Sequence, residues 1–224
     1  MAEEFLREIP GPAGPLEALL DLPATAPRAA AVFAHPHPLH GGTMHTKAVY
    51  QAAKALARLG VAVLRFNFRG VGLSRGAHEA GPGEMEDFRA GLDLMAEKFP
   101  GLPLWAAGFS FGSWIALNVG VSDPRVHVLL GIGAAVDRYD FEAVKHSDKP
   151  KFLIHGEFDE LIPVKEVKKF YGQMREPKDL VIIDAADHLF NGKTLELGQA
   201  VEDLLGDSDE HVTKDAKVAK DTKV

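Results

Sequence analysis

Apolar residues along this chain fall into two alternating kinds of segment. Short unbroken apolar runs read as strands buried on both faces, and longer stretches with apolar positions at helical spacing read as helices. Ala29–Ala34, Val61–Phe66, 102–107, Val126–Ile132, 151–155 and 180–183 are of the first kind. Segments 45–59, 84–98, 113–121, 163–174 and 194–205 are of the second. Gly60 supplies a stop for the first helix. Acidic residues sit in the first turn of the 84–98 helix, where they suit the helix dipole. Ahead of these segments, residues 4–22 hold two short apolar stretches split by Pro10-Gly11-Pro12-Ala13-Gly14-Pro15, the pattern of a hairpin.

Strands that alternate with helices predict an α/β fold, a mostly parallel sheet with helices on both faces. The two N-terminal strands would extend that sheet as an antiparallel edge. No internal repeat and no second apolar cluster interrupts the pattern, so residues 1–205 are expected to form one domain. Residues 206–224 are polar and alternately charged, as in a solvated tail.

Composition removes several function classes. The 224 residues are 46% hydrophobic and 25% charged, enough to bury a sizeable core. The chain has no cysteine, which excludes disulfides, thiolate metal sites and a cysteine nucleophile. A net charge of −7 argues against a surface that tracks nucleic-acid phosphates. The N-terminal residues lack the basic start and apolar stretch of a signal peptide, and no apolar run is long enough for a bilayer. The expectation is a cytoplasmic protein with no membrane partner; its oligomeric state is left open.

Chemistry concentrates at Gly108-Phe109-Ser110-Phe111-Gly112, between an apolar run and a helical segment. G-x-S-x-G between a buried strand and a helix predicts a tight, strained turn that exposes the Ser110 hydroxyl at the top of the sheet. The glycines let the two backbones approach, and the Phe111 N–H is directed to where a substrate oxyanion would form. A nucleophilic serine needs a base, and the base an orienting acid. In a parallel sheet both belong at the carboxyl ends of strands. Asp159 follows the 151–155 strand and His188 follows the 180–183 strand, in the chain order serine, acid, histidine. Asp137, after Val126–Ile132, is a rival acid. Asp184 and Asp187 lie too close to His188, and Asp187 is expected to shape its loop.

With these residues the sequence resembles the α/β-hydrolase superfamily over about 29–205. It is most similar to small lidless bacterial members that carry a His-Pro-His-Pro…Gly-Gly loop, here His35-Pro36-His37-Pro38 with Gly41-Gly42. Arg65 to Ser74 and His155 to Asp159 match two further motifs of those members. The resemblance implies Ser110 as nucleophile, His188 as general base and Asp159 as its partner. It implies an oxyanion hole made by the N–H groups of Phe111 and His37, although Pro36 replaces the glycine common in that segment. The implied activity is a serine hydrolase, a carboxylesterase cleaving small or short-acyl esters through an acyl-enzyme, with no cofactor. A thioesterase or peptidase using the same triad, and a non-catalytic binding protein on the same scaffold, remain alternatives.

His35, His37, His40 and His45 invite a metal reading, but no ligand carboxylate lies near them in sequence and the prolines restrict their convergence. His35 is instead expected to be buried and bonded to backbone. Asn67 and Arg69 are expected to hold the loop after Val61–Phe66 through side-chain to backbone bonds. Leu39, Trp114, Tyr139, Leu161, Leu189 and Phe190 are candidate pocket walls. The interval 133–150 is too short for a large cap domain but fits one helix around 141–146, so an open, shallow site is expected.

Overall fold

The computed structural model describes residues 2–206; apart from Gly206, the expected charged tail lies outside the described residues. The elements run β1 (Ala2–Ile9), β2 (Leu16–Leu22), β3 (Ala29–Ala34), α1 (Lys47–Arg58), β4 (Val61–Phe66), α2 (Pro82–Lys98), β5 (Leu104–Phe109), α3 (Phe111–Ser122), β6 (Val126–Ile132), α4 (Glu142–His146), β7 (Lys151–Gly156), α5 (Val164–Gln173), β8 (Lys178–Ile183) and α6 (Thr194–Gly206). They build an α/β fold without a large cap.

The eight strands form one sheet in the order β1-β2-β4-β3-β5-β6-β7-β8. The β1–β2 hairpin joins antiparallel to β4, and β3 to β8 are parallel. Strand alternation divides the core. Ala30, Val32 and Leu64 face a layer with Phe88 and Leu92 of α2, Ile115 of α3 and Phe170 of α5. Ala31, Phe33 and Val63 face α1 and α6, through Ala52, Leu56, Leu197 and Val201. Strands β3, β4, β5 and β7 are buried along their whole length, which explains their unbroken apolar runs.

The chain steps from β3 outward to β4, then crosses back to β5 on the other side of β3. That reversal of direction opens a crevice at the carboxyl ends of β3 and β5, the place where ligands bind in open α/β sheets. Ionic pairs brace the side of the sheet away from β8. Arg65 is fully buried and its guanidinium is paired with Asp21 at 2.6 Å, with a further bond to the Met44 carbonyl.

The start of α2 and the turn between β5 and α3 differ from the sequence expectation for a physical reason. α2 begins at Pro82, ahead of the expected 84, because proline at the first helical position needs no N–H partner and the Glu84 carboxylate accepts the Gly81 N–H at 2.7 Å. β5 runs to Phe109 and α3 begins at Phe111, so the turn between them is Ser110 alone. A Cβ on Gly108 would lie 2.2 Å from the Gly112 oxygen, and one on Gly112 would lie 2.4 Å from the Ala34 and His35 oxygens. Backbones that close leave no room for a longer loop. We therefore expect Gly112→Ala to lower the stability measured by urea unfolding by about 1–3 kcal/mol, as overpacking at a rigid backbone contact does.

Candidate active site

Ser110 turns the chain with φ 55° and ψ −119°, a strained conformation for a residue with a side chain. Its N–H donates to the Ile132 carbonyl at 2.8 Å, and its own carbonyl accepts from the N–H and Oγ of Ser113. The turn is thus pinned to β6 on one side and to the first turn of α3 on the other. The Ser110 side chain is left at the carboxyl edge of the sheet, where the loops after β7 and β8 arrive.

Those loops complete a hydrogen-bonded chain. His188 Nε2 lies 3.0 Å from Ser110 Oγ, and His188 Nδ1 lies 2.7 Å from Asp159 Oδ2. The carboxylate can only accept from Nδ1, so a neutral His188 carries its proton there and presents Nε2 as an acceptor to the serine hydroxyl. Both His188 and Asp159 are buried. The other Asp159 oxygen accepts the N–H groups of Leu161 and Ile162 at 2.9 and 2.8 Å. Burial alone would push the Asp159 carboxyl up. The hydrogen bond and charge of His188, together with the Ile162 N–H, outweigh it and hold the carboxyl below the usual range.

Asp137 is exposed, with Arg138 Nε 4.0 Å away, and makes no hydrogen bond to His188. Asp187 accepts the Asn191 N–H and side-chain amide and so shapes the histidine loop, as the sequence suggested.

The loop after β3 forms the opposite wall. A Cβ on Gly42 would lie 2.1 Å from the Pro36 oxygen, so this tight return needs glycine. The His37 carbonyl accepts from the His40 and Gly42 N–H groups, and His37 Nδ1 accepts from Leu39 N–H. Neither the His37 N–H nor the Phe111 N–H has a hydrogen-bond partner among the described residues. His35 is fully buried between Pro36 O, to which its Nδ1 donates, and the Phe68 N–H, which its Nε2 accepts. Burial lowers its pKa from 6.5 to about 4. Among the described residues no three histidine or carboxylate side chains converge as metal ligands.

A cavity of about 450 Å³ opens over Ser110 and is lined by His37, Phe111 and His188, with Tyr139, Leu161 and Leu189 as walls. Three of the expected wall residues lie elsewhere. Leu39 is 72% exposed on the short 3-10 turn Pro38–His40 and does not line the cavity. Trp114 stacks on the outer side of Tyr139 at 4.4 Å and donates to the Asp140 carbonyl. Phe190 takes φ 56° and is fully buried in the α1/α6 core against Phe109. Arg69 also departs from expectation. Its guanidinium is paired with the Asp87 carboxylate at 2.8 Å, and Glu79 and Glu86 add to it, so it holds its loop to α2 by charge. Asn67 does act on backbone, accepting the Met44 N–H.

Residues the sequence did not single out also line the cavity, among them Arg138, Glu160 and Ile162. Glu160 accepts the backbone N–H of His188 at 3.3 Å, and Arg138 donates to the Leu161 carbonyl. The only sequence signal for them was their position in loops leaving the carboxyl ends of β6 and β7.

The Hydrolase_4 family model, serine aminopeptidase S33, matches residues 27–143. The structure is similar to that of an α/β serine hydrolase homologue from Coxiella burnetii, at 37% identity and a TM-score of 0.85 over 90% of this chain and 96% of that one. It is similar to a serine hydrolase without a lid from Xanthomonas campestris, at 33% identity and a TM-score of 0.85 over 92% and 94% of the two chains. An esterase domain from Rhodothermus marinus is 25% identical, with a TM-score of 0.71 over 92% and 97%.

His35 links the site to pH. It stays neutral in the fold between 6.5 and about 4, whereas the unfolded chain takes up a proton there, so stability is full above 6.5 and falls as the pH drops through that window. The loss due to this group is roughly 3 kcal/mol. His35→Gln, which keeps an acceptor for Phe68 N–H, should flatten that part of the stability profile in urea titrations.

Proposed function

The chain belongs to the α/β serine hydrolase superfamily, and on that premise we propose that it is a carboxylesterase acting on small or short-acyl esters with Ser110 as nucleophile. The observation that carries this reading is the chain Asp159–His188–Ser110, 2.7 and 3.0 Å at its two links, at the floor of an open cavity.

His188 Nε2 takes the hydroxyl proton as Ser110 Oγ bonds to the ester carbonyl carbon. The charge that moves to the carbonyl oxygen meets the unpaired N–H groups of Phe111 and His37. Asp159 stays ionised and stabilises the imidazolium. As the carbon–oxygen bond to the alcohol breaks, His188 returns the proton to the leaving alkoxide. A water that gives its proton to His188 then attacks the acyl-enzyme, and Ser110 recovers its hydrogen when the acid departs. The cavity volume and the five-residue α4, the only helix between β6 and β7, support a small acyl group in a site open to solvent.

Hydrolysis of p-nitrophenyl acetate and butyrate with chelator present tests the proposal. Wild-type protein should turn both over, and Ser110→Ala should lose about 10⁴-fold or more in kcat. Matched ester, thioester and amide substrates should rank the ester first in kcat/KM. Absence of turnover together with failure of a fluorophosphonate probe to label Ser110 would overturn the reading in favour of a binding role.

A further inference from the structure

The mechanism above makes no use of His155, a fully buried imidazole at the end of β7. Its Nε2 lies 2.8 Å from the Ile162 carbonyl. A carbonyl only accepts, so Nε2 carries the proton and Nδ1 presents a lone pair. That Nδ1 is buried and has no hydrogen-bond partner among the described residues. A buried acceptor without a donor is destabilising, and an apolar side chain of similar size would avoid the cost. The imidazole is therefore explained by what its other nitrogen does.

The Nε2–H closes a small ring. His155 donates to Ile162 O, while Ile162 N–H and Leu161 N–H donate to Asp159 Oδ1. The same Nε2 lies 3.4 Å from Asp159 Oδ2, the oxygen that receives His188 Nδ1. That distance exceeds a normal hydrogen bond, but it sets the positive edge of one imidazole behind the oxygen that faces the other. The loop is also tightly packed at its root. A Cβ on the next residue, Gly156, would lie 2.5 Å from the Ala186 oxygen and 2.8 Å from the Asp187 oxygen, so the acid and histidine loops are packed backbone to backbone.

We propose that His155 is a positioning residue for Asp159: its Nε2–H fixes the 159–162 turn and aims the carboxylate at His188. The charged and titratable groups facing it are Asp159 on its own loop, His188 from the loop after β8 and Asp137 from the loop after β6. Burial lowers the pKa of His155, so it acts as a neutral donor. A charged donor there would compete with His188 for the Asp159 carboxylate; a neutral one orients it and leaves the charge to His188.

The inference rests on the serine hydrolase reading, and its test is separable from it. Glutamine places an amide N–H near the position of Nε2, whereas asparagine and leucine do not. His155→Leu and His155→Asn should lose about 10²-fold in kcat on p-nitrophenyl butyrate with KM little changed, the scale of a misplaced catalytic group. His155→Gln should recover most of that rate. Proton NMR of the downfield His188 Nδ1–H reads the same geometry without substrate. The signal should shift or broaden in the leucine and asparagine variants and be retained in the glutamine variant. Thermal unfolding of each variant accompanies both measurements, and should His155→Leu fail to fold, the asparagine and glutamine pair decides. Wild-type kcat and resonance in the asparagine variant would overturn the proposal. So would a glutamine variant that is as impaired as asparagine or that does not fold, since His155 would then serve the core alone. Loss of the hydrolase reading shows instead as wild-type protein without turnover or Ser110 labelling, and the resonance would still report on His155.

Discussion

One steric constraint organises the molecule: three backbone segments meet at the Ser110 turn with no side chain between them. Gly108 touches Gly112, and Gly112 touches the carbonyls at the end of β3. The end of β3, the turn and the start of α3 therefore take a single arrangement. Interiors packed at this density do not deform continuously, so the left-handed φ of Ser110 persists. The two unpaired N–H groups, on Phe111 and His37, belong to the segments this contact holds together. The geometry of the candidate site follows from where two glycines allow the main chain to go.

Around that contact the charges are arranged in two tiers. Arg65 with Asp21, and Arg69 with Asp87, are buried pairs that tie the β4 end of the sheet and its loop in place. Such pairs contribute little net stability once desolvation is counted, but losing one partner leaves an isolated buried charge, so they fix geometry strongly. Asp159 and His188 form the second tier, with a serine hydroxyl beyond them. The Asp159 carboxylate is oriented by backbone N–H donors from the 159–162 turn, which cost nothing in side-chain freedom when the site is used.

Sequence periodicity carried the fold well because each central strand is buried on both faces and the outer helices α1, α5 and α6 on one. Ser110, Asp159 and His188 were legible for the same reason: each follows a strand, and the parallel topology sends all those strand ends to one edge. Membership of the cavity wall was not. Leu39 and Tyr139 look alike as apolar residues in loops, and their fates depend on loops distant in sequence. Phe190 differs from its neighbour Leu189 by one left-handed residue, which turns it into the α1/α6 core. Arg69 looked like a backbone fastener because its partner Asp87 lies on the next helix, where no local pattern links them. Its reach across that gap is a tertiary fact.

The short α4 has a kinetic meaning. With no large cap among the described residues, the walls that would recognise a substrate under the proposed function already stand in place before it arrives. The same openness would expose an acyl group, bound as proposed, to bulk water on one side. If the proposed acyl-enzyme forms there, water at its full concentration outcompetes an alcohol for the acyl carbon unless a second acceptor site holds one. Under the proposed function, an uncovered site of this kind favours hydrolysis of the acyl-enzyme over acyl exchange between alcohols.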